Sequence, residues 1–251
     1  MKKTIIILIL LLLPVLCFAG TLQEKQMSVI AKKNTVVSSG VTYRAVGTFY
    51  TDTVTASPVV AKPAGVVDGD FILVAVTTDT VHAINSVIEG WTQIGTAQDA
   101  STDSTTSIFY KIASSEGESW TFTDLFVDTE IWSGVVIAYS GVNATTPLDV
   151  AVVQGSETAN TTHSTDAITP TSNNTMVISI WGVDGSEAYT GTADSDPSCT
   201  ERADYNNAYG AYGWTYIQEH KQTTAAEEIH DLTINVSDVM SWFIIALRPA
   251  T

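Results

Sequence analysis

Phe71-Ile72-Leu73-Val74-Ala75-Val76 decides the fold, because a hundred or so residues later Met176-Val177-Ile178-Ser179-Ile180-Trp181 takes the same place in a second, similar series. An apolar run of this length after a turn signal, here Asp68-Gly69-Asp70, reads as a strand buried on both faces. In the first series it is followed by the aromatic run Ile108-Phe109-Tyr110-Lys111-Ile112, a turn with Glu116 and Glu118, a polar hairpin, and Trp132 to Tyr139. In the second come Tyr212 to Ile217, Glu227-Glu228, Leu232-Thr233-Ile234, and Ser241 to Leu247. Neither sheet of such a pair can bury its apolar face alone, so two related units should fold against each other. The alternative is that any all-β chain looks self-similar.

The remaining strands fit this frame. Val41 to Tyr50, Trp91 to Thr96, Ser107 to Ala113, Ser119 to Thr123, Ile131 to Ser140 and Cys199 to Tyr205 are short β-type runs between turn residues. About a dozen strands at this spacing predict an all-β fold: a two-sheet antiparallel β-sandwich, jelly-roll-like, built from two related halves at about 41–147 and 148–251.

The N-terminus reads differently. Lys2 and Lys3 precede the apolar run Ile5 to Leu16, and Cys17-Phe18-Ala19 offers small residues at the two positions a signal peptidase reads. Residues 1–19 are therefore expected to be a signal peptide, with an apolar core too short to span a bilayer. Lipidation at Cys17 is the weaker reading, since Leu16 and Phe18 flank it poorly. Residues 20–40 read as a flexible lead-in, with a short amphipathic helix near Gln23 to Ala31 as a variant. The mature chain is expected to be secreted, extracellular or at the cell surface, with the periplasm as the other location and no membrane span.

Charge excludes one class of partner. Removing Lys2 and Lys3 leaves nine basic residues against 27 acidic ones, a net charge of about −18. Such a surface repels phosphate backbones, so no nucleic-acid partner is expected, and anionic membranes are disfavoured likewise. With Cys17 removed, Cys199 is the only cysteine and no internal disulfide can form. A semi-buried thiol is expected there.

Catalytic motifs are sparse. There is no G-x-S-x-G and no H-E-x-x-H. Asp124 to Glu130 supplies spaced acids, and a glycoside hydrolase using Asp128, Glu130 or Glu227 is the residual enzymatic reading. Its spacing departs from the Glu-x-Asp-x-x-Glu pattern of sandwich-type glucanases. His220 and His230 are placed to meet across a hairpin and bind a metal, although ordinary surface or turn histidines explain them as well. Asp194 and Asp196, or Asp99 with Asp103, offer hard oxygen ligands for calcium at loop spacing; solvated loop acids are the alternative, and no other cofactor is expected.

The segment Asp204 to Tyr216 is the recognition candidate, because Tyr, Asn and Gly dominate binding loops and aromatic rings stack on the apolar faces of sugars. Tyr212, Trp214 and Tyr216 alternate onto one face and are expected in the core. That leaves Tyr205, Asn206, Asn207 and Tyr209 as the ligand-binding residues. Trp91 and Trp181 are loop-edge candidates of the same kind, with core anchoring as their default.

Gly69-Asp70 with its apolar strand, Gly90-Trp91, Phe109-Tyr110-Lys111, Ala138-Tyr139-Ser140-Gly141-Val142 and Ala246-Leu247-Arg248-Pro249 together resemble β-sandwich modules of phage tail or virion-surface proteins and of exported bacterial surface proteins. The likeness spans roughly Val41 to Thr251. It implies adhesion or assembly and carries no catalytic residues. The expected function is an exported, non-enzymatic, adhesin- or lectin-like protein that binds a glycan or another surface ligand through loops. The alternative is a structural subunit of a surface appendage or virion, self-associating through the N-terminal segment.

Overall fold

The computed structural model describes residues 40–184, 188–205 and 213–251, with the side chains of 48–54 and 130 outside that description. The expected signal peptide and all of the lead-in except Gly40 lie outside the described residues, as do Asn206, Asn207 and Tyr209.

Thirteen strands form: β1 (Thr42–Thr55), β2 (Val59–Ala61), β3 (Phe71–Thr78), β4 (Thr92–Ala100), β5 (Ser104–Ile112), β6 (Ser119–Thr121), β7 (Glu130–Ser140), β8 (Val153–Ser164), β9 (Met176–Val183), β10 (Gly191–Ala193), β11 (Thr200–Tyr205), β12 (Trp214–Lys221) and β13 (Asp231–Leu247). The first sheet has the order β1-β7-β3-β5-β4. The second has β10-β13-β9-β12-β11, with β8 also paired to β13. All the strand pairs are antiparallel, and the expected two-sheet sandwich is what forms.

Setting β10 aside, β8-β13-β9-β12-β11 repeats the path of β1-β7-β3-β5-β4 strand for strand. No strand crosses from one sheet to the other, so the jelly-roll likeness holds for the layers and not for the path of the chain. The reason is local: each half pairs its own strands first and offers one finished apolar face to the other. Across the gap β5 meets β9 as β12 meets β3, and β4 meets β8 as β11 meets β1, which is the pattern of an approximate two-fold.

Register makes the equivalence residue-specific. Phe71 pairs with Tyr139 and Ile112, and Met176 pairs with Leu247 and Lys221. Thr77 pairs with Ser133 and Thr106, and Gly182 with Ser241 and Thr215. It follows that Leu73–Tyr110 corresponds to Ile178–Glu219, and Ile72–Lys111 to Val177–His220.

β3 and β9 are apolar throughout because both of their faces are covered. Phe71, Leu73, Val135, Ile137, Ile178, Ile180, Ile217 and Phe243 fill the space between the sheets. Ile72, Val74 and Phe109 face outward under Trp120, Phe122 and Phe126, close to the small β2–β6 sheet. On the other side Val177, Trp181 and Trp214 lie under Ile168, Tyr189, Leu232 and Ile234. Each fully buried side chain of this size contributes about 1.5–3 kcal/mol. Gly69 turns the chain into β3 at φ +88°, a backbone position that favours glycine.

Two expected strands, Asp231 to Val236 and Ser241 to Leu247, are one 17-residue strand. Its pairing with β8 continues through register shifts between Thr233 and Met240. The described residues contain no helix, and none long and apolar enough to cross a membrane.

Candidate functional site

In each half a buried glutamate follows the fourth strand of the sheet path. Glu116 accepts from Lys111 Nζ at 2.8 Å, Trp120 Nε1 at 2.5 Å and the Ser114 amide at 3.0 Å. Burial opposes its ionisation, yet these donors hold its carboxyl below the ordinary glutamate range. Lys111 also lies 5.5 Å from the centre of the Trp91 ring, so Trp91 is part of this packing. Glu228 is the counterpart: it accepts from His220 Nδ1 at 2.9 Å, from His230 Nε2 at 2.5 Å and from Gln222 Nε2. His230 is fully buried, and its Nδ1 lies 2.9 Å from the Ser179 hydroxyl.

The two histidines do meet, as their positions suggested, but each spends a ring nitrogen on the same carboxylate. Among the described residues no three His, Cys, Asp or Glu side chains are arranged to hold a metal. Asp194 accepts the amides of Asp196 and Asp231, both at 2.9 Å, and so staples its loop to β13. Asp128 and Glu227 belong to the coverings of opposite outer faces, so the fold does not place them across one substrate.

Two clefts flank the end of β12 and share His220 and Lys221 as a common wall. The larger, of about 600 Å³, is bounded by Asp196, Gln222, Glu227 and Ile229. The smaller, of about 330 Å³, opens at the margin between the sheets, where Thr42 and Tyr43 of β1 face Thr200, Arg202 and Glu219.

Its floor is polar where a sandwich interior would ordinarily be apolar. The Glu219 side chain is 4% exposed and pairs with Arg202 Nη2 at 2.5 Å. The guanidinium lies 4.0 Å over the Tyr43 ring. Burial lowers the affinity of Arg202 for its proton, but the Glu219 carboxylate outweighs this and raises it. Burial, and then the same carboxylate, push the Tyr139 phenol well above the ordinary tyrosine range, so it stays protonated. Arg202 Nε, Glu219 Oε2 and Tyr139 Oη are buried without a hydrogen-bond partner among the described residues. At the symmetry-related place the corresponding residues are Tyr110 for Glu219, Ile112 for Lys221 and Leu247 for Tyr139, all packed on the core. The scaffold therefore does not require this polarity.

Of the sequence candidates, Tyr205 ends β11 and is half-buried against the inter-sheet core. It pairs with Thr215, four strand positions from the Thr200–Glu219 pair at the clefts. Trp181, Trp214 and Tyr216 are fully buried, in keeping with the core reading of that face. Cys199 is half-buried, and burial raises its thiol far above the ordinary range, with Asp194, Glu228 and Glu219 adding to it. Iodoacetamide is accordingly expected to label Cys199 slowly in the native protein at pH 8 and fully after unfolding. Equal rates in both states would refute that.

Sequence reasoning missed Arg202 and Glu219. The signal was available in the repeat, where an inward position held by Tyr110 in one half becomes Glu219 in the other. No family model, curated protein or solved structure matches the chain.

Proposed function

We propose that this protein is an exported, non-enzymatic recognition module, adhesin- or lectin-like, that binds a glycan in the paired clefts at the end of β12. The observation that carries the reading is the polar floor of the smaller cleft, set against the apolar packing of its counterpart in the other half. Buried polar groups are costly when unpaired, and a ligand that pairs them gains what the free protein forgoes. Export rests on the N-terminal sequence alone.

The test is a glycan array on the purified mature chain, run with calcium and again with chelator. Selective binding is expected, and it should survive the chelator because both Asp194 carboxylate oxygens are engaged by backbone amides. Lys221→Ala, at the wall between the clefts, should weaken binding several-fold. Tyr209→Ala, in the loop that composition points to, should leave it unchanged; the reverse pattern would move the site to that loop. A blank array from folded protein would favour the structural-subunit reading.

A further inference from the structure

We infer that the smaller cleft reads the hydroxyl groups of an uncharged sugar, with Glu219 as acceptor and Arg202 as donor. This rests on the glycan-binding reading above and names its ligand class.

A sugar hydroxyl donates one hydrogen bond and accepts others, so its best partner is an acceptor set beside a donor. Glu219 Oε2 accepts only and Arg202 Nε donates only, and both are buried and unpaired among the described residues. Their partnership through Arg202 Nη2 holds the two groups in fixed relation, so little order is lost on binding. The protonated Tyr139 phenol beside them can donate or accept. At about 330 Å³ the cleft is at the small end of ligand pockets, fit for one sugar ring.

Charge excludes the acidic sugars. Arg202 and Glu219 cancel each other, Glu228 backs His220, and the whole chain carries −16. A carboxylated or sulfated glycan would meet a repulsive field with no uncommitted guanidinium to oppose it. Stacking is ruled out as the main contact as well, because the guanidinium already covers the Tyr43 ring. Recognition here works through hydrogen bonds to hydroxyl edges.

The experiment is an array of matched neutral and carboxylated glycans, probed with the mature chain, with Glu219→Gln and with Thr200→Trp. Thr200 is exposed and pairs with Glu219 on the cleft side, so tryptophan there fills the mouth without touching the buried floor. Circular dichroism melts establish that each variant is folded. Binding confined to neutral glycans, lowered about tenfold or more by Glu219→Gln and abolished by Thr200→Trp, is the expected result. Binding confined to carboxylated glycans would overturn the ligand class and leave the recognition reading standing. Neutral binding unchanged in both variants would overturn the site. No binding by folded wild-type protein would overturn this inference together with the reading it rests on.

Discussion

Asp149→Ala is expected to lower stability by about 3–5 kcal/mol, the loss typical when one partner of a buried ion pair is removed. The Asp149 side chain is fully buried, and five donors converge on it. They are Thr171 N at 2.5 Å, Thr171 Oγ1 at 3.0 Å, Ser172 N at 3.0 Å, Ser172 Oγ at 2.5 Å and Arg248 Nε at 3.1 Å. The connection between the halves, the turn before β9 and the C-terminal segment after β13 are all tied at this one carboxylate. Urea denaturation at pH 7 measures the loss, and a change below 1 kcal/mol would show the junction to be held by its backbone bonds.

The same residue sets an acid limit. Burial alone would raise the Asp149 pKa, but the five donors overcome it and hold the group at about 2, below the ordinary 3.8. A depressed folded-state pKa stabilises the protein above the unfolded value, and that contribution fades as pH falls from about 4 to about 2. Over this window wild type should lose on the order of 2 kcal/mol more than Asp149→Ala. Parallel stability curves for the two proteins would contradict the assignment.

Gly182→Ala is the second large effect, expected to destabilise by about 1–3 kcal/mol through overpacking. A Cβ at Gly182 would stand 1.9 Å from Thr106 Oγ1, 2.7 Å from Thr77 Oγ1 and 3.0 Å from Thr106 Cβ. Thr77 holds the equivalent position in the first half. Its hydroxyl already bridges the sheets, 3.2 Å from Thr106 Oγ1 and 3.0 Å from Thr215 Oγ1. The sheets come so close here that only one of the two equivalent positions can carry a side chain. Because the nearest atom is a side-chain oxygen, Gly182→Ala combined with Thr106→Ala should cost less than the sum of the two changes. Strict additivity in that double-mutant cycle would remove the steric explanation.

The strands that could be read from the sequence are those whose burial is complete. Phe71–Thr78 and Met176–Val183 are covered on both faces, so solvent leaves no polar mark in them. β8 escaped notice for the opposite reason. Its run from Glu157 to Thr162 is exposed, and pairing with β13 makes it a strand without help from apolar alternation. β13 was divided at Ser237-Asp238 because a polar break reads as a turn, whereas the ladder passes it by shifting register.

The candidate site was legible only in part. The second glutamate turn, Glu227-Glu228, stood out beside Glu116 and Glu118, and the structure makes both turns braces. The clefts themselves could not be read along the chain. Arg202 comes from β11, Glu219 from β12, Tyr139 from β7 and Tyr43 from β1 of the facing sheet.

By itself the sequence determined the all-β class, the two sheets and the repeated order of their strands, because periodicity and turn residues act over a few neighbours at a time. Tertiary structure alone decided which copy of the repeat became polar within, where Lys221 and Ile112 diverge in use, and that three buried polar atoms share one cleft. Those outcomes depend on contacts between strands far apart in the chain, and such contacts exist only once the two sheets have closed on each other.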